Sequence, residues 1–400
     1  METRASERPP AVVLSFNGTG LATVRCLARG GIRVHAATFR TLPEGREIRF
    51  SRCCRVALLD FPPDDEDALR RWLQSFACSL GRRPVVLPTS DATALFLARQ
   101  RPALEDACTT WETGYDELLR IVSKDQLYRA AEAAGVRIPP MLVEPAPDEV
   151  TAWCRNNPPP YLVKPFYGAV RGCALRSKNR TFHAAADLVR FARTTSLSKL
   201  IVQRRIDCGD GRVYDAYGLC DRRGEVLALA SHRRIRQYAP GTGATSFGEI
   251  PILGDAGLES EIFGSTRRLL SRLRHHGIFG IEWLHEKRTG ALYLTDFNAR
   301  PFLSIGHLAD AGLNLPLLAY RELIGEPLDA AALSPSLAHC YWTDFNRDLR
   351  SFHAGFRDHG QTWGDLVSSI LACRSFAYFD ARDPGPWLCR TLDLAKTLIR

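Results

Sequence analysis

The sequence holds no uninterrupted apolar run near the roughly 20 residues that a membrane-crossing helix needs, so no such span is expected. Its opening residues, METRASERPP, have no apolar core and do not read as a secretory leader. The 12 cysteines form no Cys-x-x-Cys pair and are scattered singly apart from Cys53-Cys54. Neither a zinc ribbon nor a redox dithiol is therefore expected. With no export signal, the thiols are expected to be reduced, in a cytoplasmic setting. No run of five basic residues occurs, and the densest stretch is Arg233, Arg234 and Arg236, so a nucleic-acid-binding tail is not expected. No Ser-His-Asp set or nucleophilic cysteine context stands out. His275-His276, His307, His353 and His359 lack ligand spacing with nearby acids and are assigned structural roles.

What is present is an ordinary globular composition, 45% hydrophobic and 24% charged over 400 residues. At roughly 150 residues per domain this length predicts two to three units. Lys+Arg 53 against Asp+Glu 44 gives a net charge of +9. Such an excess suits an anionic partner, a nucleotide or phosphorylated metabolite, bound in a basic cleft.

The chain opens with an α/β pattern. An apolar strand over 11–16 meets the turn Asn17-Gly18-Thr19-Gly20, a helix over 21–29 follows, and Gly30-Gly31 ends it before a strand over 32–38. A strand over 55–59, a helix over 67–80, a strand over 84–88 and a helix over 92–99 complete a Rossmann-like front domain, 1–118. The glycine turn lacks the third small residue of a dinucleotide fingerprint, and no acid ends the second strand, so NAD or FAD is not expected. An α+β unit is predicted over 119–330, with one lobe over 119–198 and a second over 199–330. It begins with Ser123 as N-cap of a helix over 124–134. Strands follow over 161–164, 200–203, 214–220 and 225–232, then a helix over 259–275 and a hairpin over 280–297. Residues 331–400 are predicted to be a helical extension, with helices over 363–373 and 387–399. Thr295-Asp296-Phe297-Asn298 recurs as Thr343-Asp344-Phe345-Asn346, which is too little to make a repeat architecture.

The hairpin is the most informative feature. Strand alternation puts Glu282, Asp296 and Asn298 on one face and Ile281, Trp283, Tyr293, Thr295 and Phe297 on the other. Two carboxylates and an amide oxygen brought close together suit Mg²⁺ bridging nucleotide phosphates. Lys164 ends the apolar strand Tyr-Leu-Val-Lys-Pro, where a buried ammonium requires an anion. The loop beyond it, with Gly168 and Gly172, has backbone N–H groups suited to phosphates. Lys124 begins a helix, a position where the dipole disfavours a cation unless an anion is shared. Arg234 and Arg236 alternate with Ile235 and are expected to share a face with His232, while Arg300 lies two residues past Asn298.

In order along the chain, Ser-Lys-Asp-Gln-Leu (123–127), Ala-Gly-Val-Arg-Ile-Pro-Pro (134–140), Leu-Val-Lys-Pro (162–165), Leu-Ile-Val-Gln-Arg-Arg-Ile (200–206), Gly-Ile-Glu-Trp (280–283) and Asp-Phe-Asn-Ala-Arg-Pro (296–301) resemble the ATP-grasp superfamily. The last segment is similar to the family's Glu-x-Asn-x-Arg signature with Asp296 in place of the first Glu. The likeness spans about residues 10–325, with the front domain as the pre-ATP-grasp domain. It implies that Lys124 and Lys164 hold the α- and β-phosphates of ATP beneath the Gly168–Gly172 loop. It further implies an adenine edge at Gln203, Arg204 and Ile206, Asp210 on the ribose, and Mg²⁺ (or Mn²⁺) on Glu282, Asp296 and Asn298. The shorter Asp296 side chain affects how many metals bind.

The activity implied is a carboxylate–amine ligation through an acyl phosphate, releasing ADP and phosphate. Arg300, Arg236 and Arg234 are the expected catalytic cations, small molecules the expected partners, and a homodimer the expected assembly. Three other readings stay open. One is a carboxylase-type enzyme that activates bicarbonate, for which the chain carries no biotinylation sequence; the second is a non-catalytic ATP-binding regulator; the third is nucleic-acid binding through the +9 surface, which predicts steep salt dependence.

Overall fold

The computed structural model describes residues 8–42, 45–167, 175, 179–209, 211–238, 243–355 and 362–398. The front domain is built on a four-stranded parallel sheet. Its central strand Ala11–Leu14 is buried throughout, which fits its unbroken apolar sequence. It pairs with Val34–Phe39 on one side and Val85–Pro88 on the other, and Arg55–Leu59 forms the far edge. The chain therefore reverses its winding between Ala11–Leu14 and Val85–Pro88, and the loops leaving these two strands diverge around a crevice. Asn17 and Thr89 line it, with Asn17 Nδ2 donating to Thr89 O at 3.2 Å. Helix Thr19–Arg29 starts directly at the glycine turn. A Cβ at Gly20 would overlap Ser15, so that glycine answers to helix–strand packing.

The next lobe is a four-stranded antiparallel sheet, ordered Met141–Val143, Leu200–Arg204, Tyr161–Pro165 and Arg180–Phe182. Helices Pro147–Cys154 and Ala185–Thr194 pack on it, and Val150, Tyr161, Val163, Leu188 and Val202 make its core. Helix Lys124–Ala133 begins after Ser123, as predicted. The Ser123 hydroxyl does not cap it, however, because it donates to Asp125 Oδ1 at 2.5 Å.

A seven-stranded sheet forms the largest layer, ordered Leu292–Asn298, Gly277–His285, Val213–Cys220, Val226–Tyr238, Ala244–Ile250, Cys340–Thr343 and Cys373–Phe376. The last two belong to residues 331–400. That extension contains the expected helices Trp363–Ala372 and Gly385–Leu398, and it also supplies two strands to the sheet edge. It is bound to the front domain as well. Arg25 donates Nε to Asp383 Oδ2 at 2.9 Å, and Asp383 also accepts from Ser51 Oγ at 2.7 Å and Arg52 N at 2.8 Å. One apolar core continues from Val13 and Leu27 through Tyr217, Ile305 and Leu318 to Trp342.

Two bulges break the strand alternation that the sequence suggested. Glu282 pairs with Asp296 but Trp283 pairs with Leu294, so Thr295 is the extra residue. Leu294 consequently joins Trp283 and Phe297 in the core, and Tyr293 turns to the opposite side, against Arg204. Likewise Arg234 pairs with Gly248 and Arg236 with Phe247, so Ile235 is extra. His232 and Arg234 keep a common face, whereas Arg236 is turned away from them. The second Thr-Asp-Phe-Asn copy ends a strand and opens helix Phe345–Gly355, while the first lies within a strand, so the two share no structure.

Candidate active site

A cleft of about 670 Å³ opens where the front-domain crevice, both sheets and the extension meet. Among the described residues, seven basic side chains (Lys124, Lys164, Arg205, Arg234, Arg300, Arg347, Arg390) face four acidic ones (Glu47, Asp91, Glu282, Asp296) in its walls, an excess that suits a polyanion.

The carboxylates come from adjacent strands. Glu282 and Asp296 are direct cross-strand partners, and Asn298 is the partner of Gly280. Lys124, at the N-terminus of its helix, places Nζ 2.8 Å from Asp296 Oδ1 and so finds the anion that its position demands. Burial pulls the Lys124 ammonium down, but Asp296 more than offsets this and lifts it above the ordinary lysine value. Burial likewise opposes ionisation of Asp296, yet Lys124 holds its carboxyl below the usual range. Glu282 moves the other way: burial pushes it up, against the attraction of Arg234.

Lys164 has a different environment. It is buried, and its hydrogen-bond partner among the described residues is the Tyr128 hydroxyl, at 2.6 Å. Tyr128 in turn donates to Thr295 O at 2.8 Å. Burial, reinforced by Lys124 and opposed by Asp296, brings the ammonium down to about 7. Tyr128 lies one helical turn after Lys124, so one helix face serves both lysines. That i, i+4 spacing was the signal by which Tyr128 could have been found.

Arg234 donates Nε and Nη2 to the two oxygens of Asp215 at 2.8 and 2.5 Å, and its Nη1 lies 2.5 Å from Glu282 Oε2. Asp215 is 1% exposed and also accepts from Tyr217 at 3.0 Å, with His232 Nδ1 at 2.8 Å. Burial opposes its charge, but Arg234 and His232 hold it well below the usual carboxylate range. Sequence reasoning missed Asp215. Its signal was an acid in the otherwise apolar strand Val213–Cys220. Arg300 spans the domain seam, donating Nε to Asp91 Oδ1 at 2.8 Å and Nη2 to Asn298 Oδ1 at 2.9 Å.

Gln203 and Ile206 line the cleft. Gln203 is 2% exposed, and its Oε1 has no hydrogen-bond partner among the described residues. An orphaned amide oxygen in a cleft wall is a ready acceptor for a ligand N–H. Two candidates lie elsewhere. Arg204 is turned to Glu286, 2.8 Å away, and Arg236 pairs with Asp348 at 2.7 Å while stacking on Phe247. With Arg233 on Glu249, the densest basic stretch is thus neutralised and makes no anionic docking patch. Gly168, Gly172 and Asp210 lie outside the described residues. Three of the histidines assigned structural roles have partners that fit them: His275 Nε2 lies 3.1 Å from Ile278 O, His276 Nε2 lies 2.9 Å from Glu322 and His307 Nε2 lies 2.9 Å from Cys340 O, while His359 lies outside the described residues.

Among the described residues, no group of three or more His, Cys, Asp or Glu side chains forms a metal-ligand cluster. Glu282, Asp296 and Asn298 provide two carboxylates and one amide oxygen. That donor set suits a Mg²⁺ ion that takes its remaining ligands from phosphates and water.

No family model and no curated protein sequence matches the chain. Solved structures do. An ADP complex of N5-carboxyaminoimidazole ribonucleotide synthetase superposes with a TM-score of 0.66 at 13% identity, covering 88% of this chain and 86% of that one. Biotin carboxylase from Campylobacter jejuni gives 0.65 at 13% identity, over 85% and 76%. An L-amino acid ligase from Bacillus licheniformis gives 0.61 at 15% identity, over 84% and 79%. The chain has the ATP-grasp fold. The resemblance drawn from short sequence segments thus extends over most of the chain in three dimensions.

Proposed function

We propose that the protein is an ATP- and Mg²⁺-dependent ligase that joins a carboxylic acid to an amine and releases ADP and phosphate. The observation that carries this reading is the meeting of Lys124 and Lys164 with the cross-strand pair Glu282 and Asp296 in a cleft that opens onto the front-domain crevice.

In this reading Lys124 and Lys164 hold the phosphates, and Gln203 Oε1 accepts from the adenine amino group. Glu282, Asp296 and Asn298 would hold Mg²⁺ (or Mn²⁺), which supplies charge neutralisation of the phosphates when bound. A carboxylate oxygen of the acid attacks the γ-phosphorus and ADP leaves. The amine then attacks the acyl carbon, phosphate leaves and the nitrogen loses a proton. Both steps gather negative charge, and the Arg300 guanidinium is a pre-positioned donor at the seam. Arg234, fixed by Asp215, sets the position and charge of Glu282. Arg236, committed to Asp348, has a structural role. Residues 1–118 and 119–330 divide the labour between acid and nucleotide, and Trp342, Arg347, Tyr378 and Arg390 of the extension complete the cleft wall.

The test is to supply Mg-ATP with pooled carboxylic acids and amines and to measure ADP and phosphate. Release that requires both acid and amine supports ligation. Release that requires bicarbonate instead points to the carboxylase-type reading, which the likeness to biotin carboxylase keeps in view. Nucleotide binding without turnover on any pool points to the regulator.

A further inference from the structure

One wall of the cleft serves neither phosphates nor metal. It lies where the front domain meets the extension, and its central group is Glu47, in the short 3-10 helix Arg46–Phe50. Glu47 is 1% exposed, and its Oε2 has no hydrogen-bond partner among the described residues. Burial pushes its carboxyl up, against the attraction of Arg390 and Arg46.

The surroundings hold this carboxylate in place. Gly45, just before the helix, has φ +74°, and its α-carbon abuts the backbone of Asn17 so closely that a Cβ would lie 2.9 Å from it. Only glycine fits that contact and conformation together. A Cβ built on Gly18 would fall 2.8 Å from the Tyr378 hydroxyl and 3.4 Å from Glu47 Oε1, so the two side chains converge over that turn. Tyr378 is in turn fixed by Arg390, whose guanidinium lies 4.7 Å from the ring centroid. Asn17 bonds Thr89, and Asp91, which opens the helix two residues later, bonds Arg300. The wall therefore continues from Glu47 to the cation proposed to face the reacting carboxylate.

A buried carboxylate with an unused oxygen is costly unless a donor arrives to satisfy it, and a cationic donor satisfies both its charge and its lone pairs. We propose that the acid substrate is an amino acid, whose ammonium group is held by Glu47 with the Tyr378 hydroxyl beside it, while its carboxylate extends toward Arg300. This rests on the ligase reading and adds the substrate class to it.

The test uses the full-length protein with and without Mg-ADP and measures binding of three probe sets: the proteinogenic L-amino acids, their N-acetyl derivatives and the matching deaminated acids. The expected result is that at least one amino acid binds, with its N-acetyl and deaminated counterparts weaker by at least about tenfold, as loss of a charge-assisted hydrogen bond requires. Glu47→Gln, which preserves volume, should weaken that amino acid by a similar factor and leave ADP affinity within about twofold. Equal binding of the N-acetyl or deaminated acid, an unaffected Glu47→Gln variant, or binding of no amino acid overturns the proposal. The wild-type comparison of probes decides it even where a variant fails to fold. Loss of ADP binding in the wild type would instead sink the ligase reading, and the probe comparison without nucleotide would still decide this one.

Discussion

Arg300 Nε lies 2.8 Å from Asp91 Oδ1, so a residue two positions beyond Asn298 is bonded to the helix that follows the fourth strand of the front domain. The same guanidinium also donates to Asn298 Oδ1 and Pro301 O. No lysine can make this planar, three-way set of bonds. Arg300→Lys should therefore lower the rate of ADP release by about 100-fold, the scale of removing one pre-positioned donor. Its affinity for ADP should stay within about threefold. Steady-state release alongside ADP titration checks both, and an unchanged rate removes Arg300 from the reaction.

Lys164 yields a pH prediction. Its value near 7 in the nucleotide-free protein leaves a large neutral fraction above neutrality. A bound phosphate favours the ammonium and raises that value. Between the two values, binding must take up a proton, and affinity must fall as pH rises. Calorimetry in buffers of different ionisation enthalpy should show proton uptake on ADP binding at pH 8 and much less at pH 6. Lys164→Ala should abolish the uptake and weaken ADP binding.

Asp215 should matter chiefly for stability and for the position of Arg234. Asp215→Ala leaves Arg234, His232 and the Tyr217 hydroxyl without their shared acceptor. Removing one partner of a buried ion pair costs about 3–5 kcal/mol. Denaturant unfolding should show a loss on that scale, and a change below about 1 kcal/mol would contradict the role given to this network.

Asp383 tests whether the extension is an appendage or part of the fold. Its carboxylate is buried against Arg25, Ser51 and the Arg52 amide. Asp383→Ala should cost about 3–5 kcal/mol by the same argument. It should also make residues beyond 330 more susceptible to limited proteolysis. Resistance equal to that of the wild type would mark the extension as docked by other contacts.

The front-domain strands, the Glu282–Asp296 pairing and the two cleft lysines were legible because each depends on local pattern: apolar runs, strand alternation, and a cation where the neighbouring chain disfavours one. Alternation failed at Thr295 and Ile235, where one extra residue is accommodated in the pairing with the neighbouring hairpin strand, a register that the pattern of a single strand does not reveal. The two bulges separate Arg236 from Arg234, and Tyr293 from Trp283 and Phe297, which strict alternation puts on shared faces. The strands Cys340–Thr343 and Cys373–Phe376 are four residues each, too short to show a period, and they form by adding to an existing edge. Asp215, Tyr128 and Glu47 gain their meaning chiefly from partners 17 to 167 residues away, or from a cleft that no local window contains.

The central claim is that a carboxylate is activated by phosphoryl transfer in the cleft shared by Lys124, Lys164, Glu282 and Asp296. Hydroxylamine tests it directly, because it captures an acyl phosphate as a hydroxamate without the natural amine. With Mg-ATP, hydroxylamine and pooled amino and carboxylic acids, the account predicts hydroxamate and ADP in equal amounts, both lost in Asp296→Ala. AMP and pyrophosphate in place of ADP, or ADP release with no hydroxamate, would contradict it.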